Sequence, residues 1–260
     1  DVQVHNVDQL WLVLYQQLRQ ISVDNRIEVR HSALRTLFTA LEAHGNVLES
    51  SSWYQVVNEL LLPVLENVQH YSSSSSTIDR DEPVEKALGN ASQKDPQKML
   101  IHHSRNTQAK QWYTTWETAL QGVSRMLSVF FATFAQLDNA EEAWDCFLSH
   151  VQLAAVEGSE SVAGAAVGGV VEVLERHVGA GAFPPVFWDR FWETVDRIAT
   201  SACATQGFSQ KTLKLLVQSA VRLQSLPDAA KLQNAQNVAS MMRMLDRLAS
   251  ATWGAPQDPL

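Results

Sequence analysis

The sequence predicts an all-α chain, a right-handed superhelix of stacked helix pairs (an α-solenoid), and three observations carry that prediction. Apolar residues recur at helical spacing, with capping residues between them, along most of the 260 residues. The alternation of a half-buried strand is scarce. Four tryptophans, Trp11, Trp53, Trp144 and Trp188, stand near the starts of predicted helices. Trp11 and Trp53 are 42 residues apart, and Trp144 and Trp188 are 44 apart, which is the period of a HEAT- or armadillo-type helix pair.

The elements follow in order. A first helix is expected from about Asp8 to Ile21, and Asp24 is placed to cap a second that ends near His44-Gly45. Ser50 to Ser52 offer caps to a third, in which Pro63 should kink or break the helix, because proline lacks the N–H and crowds the preceding turn. Residues 71–99 lose the period. Five serines, Ser72 to Ser76, lead into a charged stretch ending in Pro83, and the segment reads as a flexible loop inserted in one solenoid unit spanning 1–260. A long helix is then expected from about Ser104 to Gln136. Asn139 with Glu142 has the spacing of a capping box, and Pro184 suits a first turn. Ser209 and Asp228 are expected to cap the last two helices, giving about nine in all.

The repeat has internal detail. Three residues beyond the tryptophans come Leu14, Val56, Phe147 and Phe191; four beyond come Tyr15, Val57, Leu148 and Trp192; seven beyond come Leu18, Leu60, Val151 and Val195. Positions i, i+3, i+4 and i+7 share one helix face, so the four helices carry one buried stripe. In the second helix Asp24, Val29, Arg30, Ala33 and Leu37 follow the HEAT pattern. Asp24 would cap, Val29, Ala33 and Leu37 would form the buried row, and Arg30 would bridge to an acidic group. Glu157, Val162, Ala166 and Val170 repeat the spacing, with Ala163 in the arginine's place. Gly164 and Gly168 suggest close helix packing.

Composition excludes several function classes. A net charge of −8 argues against a nucleic-acid partner. The longest small-apolar run, Val162 to Val171, is about half of what a membrane span needs. Two cysteines fit a reducing compartment, and Cys146 reads as an inert core thiol. No catalytic, cofactor or metal site is expected: His102-His103 lacks further ligands at workable spacing, and the serines near helix starts read as caps. Arg105 and Lys110 with Lys94 and Lys98 form a modest basic cluster suited to anionic lipid. The chain opens on Asp1, as expected of a piece of a larger protein.

The stretch from Asp24 to Gly45, DNRIEVRHSALRTLFTALEAHG, resembles the HEAT region of the large Golgi Arf-exchange factors of the Sec-seven class. It resembles more closely their non-catalytic relatives, the MON two homologue (Ysl-two) family. LWLVLYQQL and the run from Trp53 to Leu65 are similar to both groups, whereas LIHHSRNTQAKQW, Leu100 to Trp112, is similar to the MON two homologue family specifically. The resemblance spans about residues 10–130. Beyond Asp138 only the helical pattern continues it, and the glycine-rich Ala163–Val171 departs from it.

The resemblance implies a large peripheral protein at the cytosolic face of the trans-Golgi network and endosomes. It would be a scaffold in endosome-to-Golgi recycling and vacuolar or lysosomal sorting, partnered by a Dopey-family protein and Arf-like small GTPases. Two other functions stay open: the regulatory tail of an active Arf exchange factor, and an anionic-lipid-contacting module. His102, His103, Ser104, Arg105 and Asn106, with Trp112 just beyond, are the candidate partner contact, because this polar run lacks a core period.

Overall fold

The computed structural model describes residues 7–81, 108–181, 183–204 and 210–253. Helix α1 (Val7–Ile21) turns through Asp24 into α2 (Ile27–His44). Next, α3 (Ser50–Gln55), a π-helical turn (Val56–Leu61) and α4 (Leu62–Asp81) run on without interruption. There follow α5 (Gln108–Val129), the short α6 (Phe131–Phe134), α7 (Ala140–Glu157), α8 (Glu160–Val178) and α9 (Pro185–Ala204). The last are α10 (Gln210–Gln224), the short α11 (Ala229–Leu232) and α12 (Ala235–Trp253). No strand occurs among the described residues.

The helices form two rows. In one, α1, α3–α4, α7, α9 and α12 lie side by side in chain order; in the other, α2, α5, α8 and α10 do the same. The pairs α1/α2, α4/α5, α7/α8 and α9/α10 cross from row to row. This is the all-α solenoid that the tryptophan period predicts. All four tryptophans fall in the first row. Trp53, Trp144 and Trp188 are buried, whereas Trp11 is half-buried and stacks on His44 at 4.0 Å. Two indole N–H groups donate to backbone carbonyls of the neighbouring unit or turn, Trp144 to Phe187 at 3.1 Å and Trp53 to Gly45 at 3.0 Å. A buried indole usually finds such a partner, though the Nε1 groups of Trp116, Trp188 and Trp192 have none here.

The stripe holds in the helices that carry Trp53, Trp144 and Trp188 and fails in part in the one that carries Trp11. Leu14 is exposed, because α1 has a first-row neighbour on one flank only among the described residues. On α2, Ala33 and Leu37 are buried but Val29 is only partly so. Asp24 closes the turn before the helix rather than capping it: its carboxylate accepts from the Arg26 backbone N–H at 2.9 Å and side-chain Nε at 3.0 Å. The Arg26 side chain and backbone hydrogen bonds together hold its pKa down at about 2.

Five other expectations meet local chemistry that composition conceals. Pro63 neither breaks nor ends its helix. The wide π-turn just before it releases the carbonyl that the ring would strike. The serine run is helical to Asp81, with Ser74 Oγ donating to the His70 carbonyl and Ser75 Oγ to the Tyr71 carbonyl, each at 2.8 Å. Hydroxyls satisfied within their own helix do not compete with it. The rest of the expected loop lies outside the described residues. The long helix expected to reach Gln136 stops at Val129, where Phe130 leaves helical geometry (φ −109°, ψ 25°). No capping box forms at α7, since the Asn139 amide donates to Asn58 instead, at 2.8 Å. Asp228 precedes α11 without a side-chain cap; Asn234 caps α12 by accepting from the Asn237 N–H at 2.9 Å, and Ser209 lies outside the described residues.

The close helix approach falls one residue from where the glycine spacing put it. Gly164 and Gly168 face open space, whereas a Cβ at Gly169 would collide with Ser124 on α5. Gly169→Val is therefore expected to cost about 1–3 kcal/mol through overpacking. Gly164→Ala should instead stabilise by about 0.5–1 kcal/mol, as helix propensity and unfolded-state entropy dictate. Urea denaturation of the two variants checks both signs.

Candidate interaction surface

No group of three or more His, Cys, Asp or Glu able to hold a metal occurs among the described residues. Nor is any described helix long and apolar enough to cross a membrane.

Of the candidate partner contact, His102, His103, Ser104, Arg105 and Asn106 lie outside the described residues. Trp112 is buried, not presented. Tyr71 stacks on it (4.8 Å between centroids, 11° between planes), and the Arg30 guanidinium carbon lies 3.9 Å from its ring centroid. Arg30 is itself buried and makes no salt bridge with the acidic groups around it. Its Nη1 donates to the carbonyls of Asp24 (2.8 Å) and Asn25 (3.0 Å), and its Nε donates to Thr115 Oγ1 (3.1 Å). The HEAT arginine thus clamps the α1–α2 turn onto α5. Of the basic cluster only Lys110 is described, exposed in the first turn of α5.

Cys146 is exposed, contrary to its expected place in the core. It stands two residues beyond Trp144, off the i+3/i+4 face, and opens into a groove between α4 and α7. That groove encloses about 580 Å³, with Leu62, Pro63 and Ala143 among its apolar lining and Glu66 and Glu142 among its acidic groups. Partial desolvation by the groove walls, with the charge of Glu66 adding to it, pushes the Cys146 thiol pKa up although the residue as a whole stays exposed. His150, also in the lining, donates from Nδ1 to Gln69 at 2.9 Å; burial lowers its pKa against the opposing pull of Glu66. The Asn139–Asn58 hydrogen bond ties the residue before α7 to the π-turn before α4, at one end of the groove. Alongside it lies a second recess of about 470 Å³, lined by Tyr54, Glu59, Leu137 and Asp138.

The sequence holds a signal for this groove that apolar periodicity passes over. From Thr36 to Asp79, and again through all of α7, there is no Lys or Arg. Charge patterning along those two helices marks an acidic seam.

Exposed apolar side chains gather at the two ends of the stack. Leu10, Val13 and Leu14 stand out on α1, and Val238, Met242 and Leu245 on α12.

The profile of a family described as the C-terminal region of Mon2 protein matches residues 1–182. The human protein named Protein MON2 homolog is 39% identical over 168 residues, covering 65% of this chain and 9% of that protein. The Drosophila melanogaster protein of the same name is 38% identical over 173 residues, covering 66% and 10% respectively. An Arabidopsis thaliana protein named Brefeldin A-inhibited guanine nucleotide-exchange protein 2 is 35% identical over 60 residues, 23% of this chain and 3% of its own. The chain thus spans about a tenth of the length of the MON2 relatives. No solved structure matches it.

Proposed function

Because the chain belongs to the MON2 family through that family's C-terminal region, we propose that it is a non-catalytic protein-interaction segment of a large membrane-traffic scaffold. The scaffold would work at the cytosolic face of the trans-Golgi network and endosomes, in recycling to the Golgi and in sorting to the vacuole or lysosome. Its partners would be a Dopey-family protein and Arf-like small GTPases. The observation that carries this reading is the two-row stack: its grooves lie between helices along an extended surface, which suits proteins more than small substrates. A second reading, the regulatory tail of an active exchange factor, draws on the 60-residue likeness to a guanine nucleotide-exchange protein.

One experiment separates the two. The full-length protein is compared with a version lacking the segment equivalent to residues 1–182, in cells depleted of the native copy. Loss of the Dopey-family protein from the precipitate, with unchanged nucleotide exchange on Arf-like GTPases, is the expected result. A deletion that keeps every partner and restores traffic overturns the scaffold role. Exchange that depends on the segment establishes the second reading.

A further inference from the structure

We propose that the groove between α4 and α7 receives a Lys- or Arg-bearing segment of a partner protein, seated along the seam with its basic heads on Glu59, Glu66, Asp138 and Glu142. This rests on the scaffold reading and assigns that scaffold a contact site and a partner chemistry.

The carboxylates along this seam differ from those facing the next joint of the row. Further along, Asp145 and Glu193 meet Arg190, and Asp196 meets Arg243 and Arg247. Glu59, Glu66, Asp138 and Glu142 have no ion-pair partner among the described residues, α7 carries no Lys or Arg, and the one arginine of α4, Arg80, stands at its far end, fourteen residues beyond Glu66. Four carboxylates along one open seam raise the local concentration of a cationic partner and fix its register, although each exposed pair is weak alone. The floor suits the same ligand. Leu62, Pro63 and Ala143 offer apolar surface to the aliphatic stems of lysine or arginine, whose heads remain at the wet rim. Asn139, beside the floor, adds a polar reason: its Oδ1 is shielded from water and accepts from no donor. The π-turn lies at the seam between the two recesses, the kind of local helix irregularity often found at functional sites.

The test uses the whole chain and a defined probe, a fluorescein-labelled amphipathic peptide of about 16 residues, spanning roughly 24 Å when helical. Lysines flank its leucine face, and a control peptide carries Glu at every Lys. Fluorescence anisotropy is read at about 50 and about 200 mM salt, across which screening tightens. The lysine peptide should bind, more weakly at the higher salt, and the glutamate peptide should not. Glu66→Lys/Glu142→Lys should weaken binding by about tenfold or more at unchanged melting temperature, since both residues are exposed. Glu28→Lys/Glu172→Lys makes the same net-charge change on the other row and should keep the affinity. Absence of lysine-peptide binding, equal binding of both peptides, or equal loss in both double variants overturns the groove. None of those results touches the scaffold reading, which stands or falls on partner recovery by the full-length protein.

Discussion

Trp188→Ala should cost about 3–5 kcal/mol of folding free energy, and Trp53→Ala should cost as much, because each removes a buried indole and leaves a cavity that a rigid helix stack cannot close. Trp188 lies among Phe191 and Trp192, with ring centroids at 6.3 and 5.6 Å, and Trp53 lies against Phe130 at 4.6 Å. The phenylalanine variants separate volume from hydrogen bonding. Trp53→Phe also removes the donor to the Gly45 carbonyl and should lose roughly 1 kcal/mol on that account. Trp188 has no acceptor for its Nε1, so Trp188→Phe should cost less. Urea denaturation gives all four values. A Trp188→Ala chain that melts like the parent but loses a partner would move that tryptophan from core to interface.

Arg30 is the second residue whose loss should be severe. Arg30→Ala removes three hydrogen bonds from a charged donor and the packed stem over Trp112, and should destabilise by about 3–5 kcal/mol through unpaired acceptors and lost packing together. Arg30→Met restores the stem and leaves the Asp24 and Asn25 carbonyls unpaired, at about 1–3 kcal/mol. Arg30→Lys should fail nearly as badly as alanine, because a compact ammonium cannot reach two carbonyls and a hydroxyl from one planar fork. Equal stability of the lysine variant and the parent, measured by thermal melt, would show that charge alone is what the site needs.

The fold was legible because two signals do not depend on tertiary detail: the tryptophan period and the face it selects. Leu14 shows the limit, since a stripe marks a face but not whether a neighbour covers it. Cys146 shows a second limit, for two positions past Trp144 is a different face, and proximity in sequence is not burial. The serine run misleads for a chemical reason. Serine is scored as a helix competitor, yet Ser74 and Ser75 turn their hydroxyls back onto carbonyls four residues earlier. Arg30 was assigned to the right motif and the wrong partner, because spacing names a side chain and not the acceptor it meets. The acidic seam was readable as charge bias, but the groove itself arises from the π-turn and the Asn58–Asn139 bridge, which no period announces.

The joint between the second and third pairs is unequal on its two sides. α5 and α8 meet closely at Gly169, while α4 and α7 are held apart with the Asn58–Asn139 and Gln69–His150 bonds as their bridges. A joint glued along one edge and pinned at points along the other works as a leaf hinge. It resists sliding but yields to rotation about the glued edge. Rotation about the glued edge would widen or narrow the acidic seam while leaving the α5–α8 contact in place.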